Sequence, residues 1–377
     1  MSTSPTIAMT PATRERAWEV VVYDTPEQAA EAGWDDALPL PPFLDSAWLR
    51  AFAPVAAGGA GGPSTRYVQL LDGVGRPRLQ CLHQVLPVAG TRLGERVSPR
   101  WAAKVLGDEA HQIGQALFSG LASATDLAAA SAAAAITRLA HALDVRGTCF
   151  LKDVPALDVP SDWTPIESLP EMRLGISSQW RDFEDYLSAL PAKYRRRARR
   201  ARRKFEGLSM RPLDEREVAR FGESLSRLYA ELVARTPYAP YVVPEGYVTR
   251  LKLLRPGAVT VLGYFDGARM VGFATLLRDG PEALAHLAAV EPAYNASHQL
   301  YLNLLFDLLA EAIARACAVL NYGRTATTIK SSVGAVPLTY ASAVRHSGCV
   351  RNGLLRRLVP LIVDPAEERA LVQRPLS

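Results

Sequence analysis

The stretch whose pattern is most telling is Val259–Val290, VTVLGYFDGARMVGFATLLRDGPEALAHLAAV. Two apolar runs, Val259–Tyr264 and Met270–Leu277, flank the pair Asp266-Gly267. Asp-Gly between such runs favours the positive-φ turn whose twist matches that of two paired strands, so these runs form a hairpin. A second pair, Asp279-Gly280, returns the chain into Leu284–Val290. Three successive antiparallel strands make a meander.

Working outward, Ser209–Leu213 reads as a strand, and Glu215–Arg235 and Gly246–Leu254 as amphipathic helices before the meander. After it come a long helix over Ser297–Ala316, a strand Val319–Tyr322, the Gly323-Arg324 turn, a short helix near Ile329 and a strand Leu338–Val344. The first half carries a strand Trp18–Tyr23, a helix Leu44–Val55 capped by Asp45 or Ser46, and the glycine tract Gly58–Gly62. Tyr67–Leu71 and Leu79–Leu86 read as a hairpin around Asp72-Gly73, followed by a helix over Asp126–Leu143 and a strand Thr148–Lys152. Pro155, Pro160, Pro165 and Pro170 crowd one segment and mark a boundary. Beyond it, Phe183–Leu190 begins a helix that Pro191 interrupts, and a basic helix ends at Gly207.

The expected organisation is a disordered start (1–14), an N-terminal α/β domain (15–154), a proline-rich linker with a basic helical pair (155–207), a C-terminal domain (208–350) and a tail (351–377). With 377 residues the chain suffices for roughly two domains. Its 49% apolar and 21% charged residues are those of a folded protein rather than a disordered one. The four cysteines stand far apart, without a paired spacing or a nearby histidine set, which argues against a zinc site or a disulfide framework. No secretory leader is legible in Met1–Thr13, and the apolar runs Leu127–Leu143 and Leu300–Cys317 are interrupted by charges, so no membrane span and a cytoplasmic location are expected. The net charge is +5, yet Lys193–Lys204 alone holds nine cations, which leaves −4 on the rest. Any contact with a polyanion is thereby localised to one helix.

The order strand, two helices, three-strand meander, long helix, strand, short helix, strand resembles the GNAT acyltransferase fold. Asn321-Tyr-Gly-Arg-Thr325, Ile329-Lys330 and Gly334-Ala335 look like the C-terminal signature of Fem-type proteins, and Phe183-Glu-Asp-Tyr-Leu187 leading into the basic run is similar to that group. The resemblance covers about 180–346 well and the first half by topology. It implies an α/β fold with mixed, largely antiparallel sheets, in which two GNAT-like halves are joined by the basic helical pair. The activity it implies is transfer of an acyl or aminoacyl group, from acyl-coenzyme A or aminoacyl-tRNA, to an amine. These donors are co-substrates; no tightly bound cofactor and no metal is expected. In one respect the sequence departs from the pattern: a coenzyme A site in this fold carries a glycine-rich turn before the long helix, and Glu291-Pro-Ala-Tyr-Asn-Ala-Ser-His298 contains no glycine. Asn295, Ser297 and His298 remain able to cap the helix or contact an anion.

Each candidate residue has a plainer alternative. In the basic helix Tyr194, Ala198, Ala201 and Phe205 form one apolar stripe, and the remaining face is cationic. A solvated surface helix is the bland reading; against it, so many like charges at i, i+3 and i+4 repel, which favours Arg196, Arg199, Arg200 and Arg203 as phosphate ligands. Lys330 is one of six lysines in an arginine-dominated chain, a choice that suits a compact charge or a tunable pKa, or a plain surface cation. Arg324 opens onto the cleft of this fold or ties down its own turn. Amine acylation needs a base and oxyanion donors. A backbone N–H around Ala289–Glu291 is the expected donor, Glu291 and His298 the expected bases, and Tyr322 the acid for the leaving group, though a tyrosine at a strand end is more often core. His286 alternates with apolar neighbours and reads as structural. Tyr238, Tyr241 and Tyr247 are candidates for an acceptor pocket around Thr236-Pro-Tyr-Ala-Pro-Tyr241, whose prolines equally suit an ordered loop.

The expected partners are therefore a small amine acceptor and a phosphorylated acyl donor. Charged tRNA is the less favoured donor, because no aromatic RNA-binding motif accompanies the arginines. The competing expectation is a catalytically silent GNAT-like module that binds a phosphorylated ligand or RNA.

Overall fold

Two sheets organise the chain, each in its own unit: residues 1–168, 237–244 and 340–364 form the first, and 169–236, 245–339 and 365–377 the second. The structure is a computed structural model and describes residues 6–8, 18–56, 64–88, 92–93, 104, 106–118, 123–154, 162–166, 168–236, 238–239, 241–362 and 375–376. The glycine tract Gly58–Gly62 and residues 155–161 and 167 of the proline-rich segment Pro155–Pro170 that prompted the linker assignment lie outside these.

The first unit contains β1 (Thr6–Ala8), β2 (Glu19–Tyr23), α1 (Pro26–Glu31), α2 (Trp34–Ala37), α3 (Ser46–Ala56), β3 (Ser64–Leu71), β4 (Pro77–Pro87), β5 (Arg92–Leu93), β6 (Glu109–Ile113), β7 (Ser123–Thr125), α4 (Ala129–Ala142), β8 (Thr148–Val154) and β9 (Thr164–Ile166). Asp45 caps α3, accepting the Trp48 N–H at 2.7 Å. The hairpin expected at Asp72 is β3–β4. One sheet face takes the small-residue side of α4, where Ala135, Ile136, Leu139 and Ala140 pack on Val68, Leu70, Leu79 and Ile113. On the other, Trp34, Leu44 and Leu49 pack on Val21, Tyr67 and Leu82. Two places differ from the sequence reading. Thr6–Ala8, inside the supposedly disordered start, pairs with Val20–Val22. Pro165, counted as a breaker, sits in the edge strand β9, where a missing N–H is tolerated.

The second unit runs β10 (Glu171–Gly175), α5 (Phe183–Ala189), α6 (Ala192–Lys204), β11 (Ser209–Leu213), α7 (Glu215–Arg220) and α8 (Gly222–Arg235). After β12 (Tyr238–Ala239), which pairs with β5 in the first unit, it continues with α9 (Tyr247–Leu254), β13 (Val259–Asp266), β14 (Arg269–Asp279), β15 (Glu282–Val290), α10 (Pro292–His298), α11 (Leu300–Ala314), β16 (Val319–Asn321), α12 (Thr327–Ser331) and β17 (Val336–Leu338). The meander is β13–β14–β15, as the two Asp-Gly pairs require. Its sheet has the order β11-β13-β14-β15-β16-β10-β17. Eleven of the fifteen residues of α11 are buried, most of them in the core shared with this sheet and the helical pair α5–α6, so α11 is the axis of the core.

The run Leu338–Val344, read as one strand, is two. Val336–Leu338 is exposed and pairs with β10, whereas β18 (Ala341–His346) is largely buried between β8 and β9 in the first unit's sheet and leads into α13 (Cys349–Ile362). The place after β16 is filled instead by β10, which enters from before the helical pair. That pair belongs to the second unit, its Tyr186, Leu187, Leu190, Ala198 and Ala201 all buried in the core around α11. No described helix is long and apolar enough to cross a membrane.

Candidate active site

Strands β15 and β16 part. They pair in parallel only where Glu282, Ala283 and Leu284 face Val319, Leu320 and Asn321. From Ala285 to Val290, β15 keeps its ladder to β14 and has none to β16 among the described residues. N–H and C=O groups alternate between the two edges of a strand, so the edge of this stretch turned toward β16 offers polar backbone to a ligand. All of its residues but Ala289 are only partly buried, although they lie in the middle of a sheet.

At the point of parting β15 bulges. Ala274 faces Ala288 and Leu276 faces Ala285, so His286 and Leu287 together oppose Thr275. The Thr275 hydroxyl accepts the Leu287 N–H at 2.8 Å and donates to the Leu287 carbonyl at 3.1 Å, which holds the extra residue in place. A bulge re-aims side chains. Ala285, Ala288 and Val290 pack on the α11 core, and His286 emerges on the opposite face, where its Nε2 lies 2.7 Å from the hydroxyl of Tyr247 on α9. Burial pushes the His286 imidazole down to about 4, so it is neutral at physiological pH.

A helical feature occupies the place expected for the glycine-rich turn. The long helix expected over Ser297–Ala316 is broken at Gln299, whose φ of 50° separates α10 from α11. The Asn295 carboxamide caps α11 by accepting the Tyr301 N–H at 3.1 Å, as its position suggested. Beside this junction lies the basic helix. The Asn303 amide donates to the carbonyls of Ala201 on α6 (2.9 Å), His298 (3.1 Å) and Gln299 (3.3 Å), and Arg202 turns inward to Asp307 at 2.6 Å while stacking on Phe183 and Phe306. Asp307 also accepts from Tyr264 at 3.0 Å; burial raises its pKa, opposed by the Arg202 charge. The stripe Tyr194, Ala198, Ala201 and Phe205 faces the core as the spacing requires. Arg196, Arg199, Arg200 and Arg203 are exposed, and no described carboxylate lies within ion-pair reach of any of them.

No curated protein matches the chain. Residues 192–331, from the start of α6 to the end of α12, match the family described as Acetyltransferase (GNAT) domain. A crystal structure of FemX superposes with a TM-score of 0.51 at 10% identity, over 89% of this chain and 99% of that one. The stretch 192–331 matches a GNAT domain, and the chain shares its fold with FemX. Also similar are a tandem GNAT protein from the clavulanic acid biosynthesis pathway (TM-score 0.49, 13% identity, 88% of this chain and 99% of that one) and L-PGS from Bacillus licheniformis (0.48, 12%, 82% and 96%).

Within the GNAT domain the expected site residues fall in separate places. Glu291 is nearly buried and tied to Arg269, at 2.7 and 2.8 Å, and to Arg227 at 3.4 Å. These pairs make it an anchor between α8 and β14 rather than a base open to an amine. Its own N–H, which the oxyanion reading included, donates to the Val271 carbonyl at 3.0 Å. The hydroxyl of Tyr322 donates to the Leu305 carbonyl inside the core at 2.8 Å, and burial raises its pKa far above the ordinary value, which removes it as a leaving-group acid. Lys330 is buried, its Nζ bonded to the carbonyls of Arg324 (2.5 Å) and Gly323 (3.4 Å), so it staples the turn after β16. Arg324 is partly exposed on that turn. His298 stacks on Tyr294 and meets the Ser297 hydroxyl at 2.6 Å, on the solvent side of α10. Of the three pocket tyrosines, Tyr238 and Tyr241 belong to the first unit and Tyr247 to the second. The sequence reading named Tyr247 for the acceptor pocket and took His286 as structural, without pairing the two. Alternation made His286 look structural; the bulge that turns it outward is a property of the register with β14.

Proposed function

We propose that the protein is an N-acyltransferase that moves an acyl or aminoacyl group from a phosphorylated donor to a small amine. The observation that carries this reading is the parted pair β15–β16 with the bulged His286 facing Tyr247 at its mouth. In the reaction the amine nitrogen bonds to the donor carbonyl carbon, and the C–S bond of a thioester or the C–O bond of an aminoacyl ester breaks. The amine's proton passes to the neutral His286–Tyr247 pair and on to the departing sulfur or oxygen. With a conjugate acid at about 4, His286 relays a proton without storing it. An extended, amide-bearing donor arm suits the open edge of 285–290. Its phosphates suit Arg196, Arg199, Arg200 and Arg203, with Asn295, Ser297 and His298 on α10, which packs against α6, and Arg324 on the turn after β16. Acyl-coenzyme A and aminoacyl-tRNA are the two candidate donors, both made in the cytoplasm, where we infer that the protein acts.

One observation favours a second reading, a non-catalytic module for a phosphorylated ligand: Asn295 already occupies an amide at the start of α11. The test is transfer of a labelled acyl group from each donor to a panel of amines. His286→Gln is expected to lower kcat/KM by roughly 10²-fold or more, the usual weight of a positioned proton acceptor. Folded protein inert with both donors, or a His286→Gln variant as active as the wild type, would defeat the enzyme reading.

A further inference from the structure

The ladder between β10 and β16 continues one step past Asn321, with the Tyr322 N–H donating to the Met172 carbonyl at 2.8 Å and the Met172 N–H to the Gly323 carbonyl at 3.1 Å. Tyr322 and Gly323 thus together oppose Met172, while His286 and Glu171 each stand two residues beyond the row of Leu284, Asn321 and Arg173, in the same direction, on β15 and β10. Met172 and Leu174 pack on the α11 core, so Glu171 projects from the same face as His286.

Glu171 is fully buried, and neither carboxylate oxygen has a hydrogen-bond partner. A carboxylate withdrawn from water is retained only when a cation or several donors meet it. Of the neighbouring cations, Arg173 pairs with Glu282, and Lys330 is bonded to the carbonyls of the Gly323-Arg324 turn. No described cation lies within ion-pair distance of Glu171. Across the ladder to β17, the edge strand of this sheet, Leu338 opposite Glu171 and Val336 opposite Arg173 are 38% and 48% exposed.

We infer that Glu171 binds a second, cationic group of the acceptor, so that the acceptor class is an aliphatic diamine or a basic amino acid. One ammonium cannot touch both His286 and Glu171. Two strand spacings, at about 4.8 Å each, put the β15 and β10 backbones roughly 10 Å apart, and the parting adds to that. An acceptor that reaches both carries an amine at His286 and a positive charge several methylenes away at Glu171. The identity of the reacting amine rests on the acyl-transfer reading; the anchoring of the cation does not.

The experiment measures binding without donor, by calorimetry, of 1,5-diaminopentane, L-lysine and 1-aminopentane. The wild type is expected to bind 1,5-diaminopentane at least tenfold more tightly than 1-aminopentane, and Glu171→Gln to level the two while its circular dichroism is unchanged. Equal affinity of the wild type for the two amines, or a preference that survives in Glu171→Gln, overturns the anchor. The wild-type comparison decides alone should the variant fail to fold. A diamine preference in protein that transfers no acyl group would defeat the reaction and leave the anchor standing. Acyl transfer to 1-aminopentane with the same kcat/KM as to the diamine would do the reverse.

Discussion

Thr275 uses one hydroxyl twice, accepting from and donating to the same residue, Leu287. Thr275→Val keeps the shape and removes both bonds, leaving a partly buried N–H and carbonyl to find water or shift. Chemical denaturation should show a loss of about 1–3 kcal/mol. Because the bulge aims His286, kcat should fall more than KM rises; unchanged stability together with unchanged kcat would show that the bulge holds without its hydroxyl. Tyr247→Phe isolates the next atom along. It keeps the ring packed on His286 and deletes the 2.7 Å contact, so kcat is expected to drop at least tenfold with KM unaltered, and a variant with wild-type kcat would remove Tyr247 from the proton path. At this scale the sequence was legible where chemistry is local, as in the Asn295 and Asp45 caps. It was misleading where a residue's role depends on a distant neighbour. Glu291, Tyr322 and Lys330 have side chains suited to catalysis, and only the arginines, the core carbonyl and the turn carbonyls around them show what they hold.

The elements repeat that division. Two Asp-Gly pairs delivered the meander, since a hairpin is fixed by its own turn. The apolar stripe of α6 followed from spacing alone, but the inward turn of Arg202 did not, because Asn303, Asp307 and Phe306 stand on α11, far along the chain. β18 was mistaken for a strand of the second sheet for the same reason: strand partners are non-local, and an apolar run does not name its sheet. The division of α6 into one inward arginine and an exposed cationic face yields a prediction. Replacing Arg196, Arg199, Arg200 and Arg203 with alanine should leave the melting temperature nearly unchanged, because Ala198, Ala201 and the Arg202–Asp307 pair are intact, while donor affinity falls. A ligand with few phosphates gives log affinity a shallow dependence on log salt, with a slope magnitude below about 2, whereas tRNA touched at four or more phosphates gives roughly −3 or steeper. The shallow slope is expected, since the rest of the chain is net acidic. Unchanged donor affinity in the quadruple variant would make α6 a solvated surface.

At the scale of the whole molecule, burial has set titrating groups against both ends of the pH range. Burial, the neighbouring His111 and Arg66 push His83 down to about 4, and burial likewise lowers His111, His286 and His346. An unfolded histidine titrates near 6.5, so between about pH 6.5 and 4 the unfolded chain binds more protons than the folded one, and stability falls as pH falls. Burial also pushes the thiols of Cys81 and Cys149 up to about 12, so above about pH 8.5 the unfolded chain loses protons that the folded one keeps, and stability falls as pH rises. Asp307, raised by burial, keeps its proton longer when folded and so softens only the most acid part of the curve. The expected profile is a plateau near neutrality with two limbs, and most of the groups behind both limbs lie in the first unit, where His83 Nε2 and His111 Nδ1 meet at 3.0 Å. His83→Gln preserves a hydrogen-bonding side chain and removes one proton from the balance, so the acid limb measured by denaturant melts from pH 4.5 to 6.5 should flatten by up to about 1.4 kcal/mol per pH unit. Cys81→Ala should flatten the alkaline limb and leave the acid one alone. An acid limb with the same slope in His83→Gln as in the wild type would mean that the His83–His111 pair takes up its protons without unfolding, and the acid sensitivity would then belong to His286 and His346.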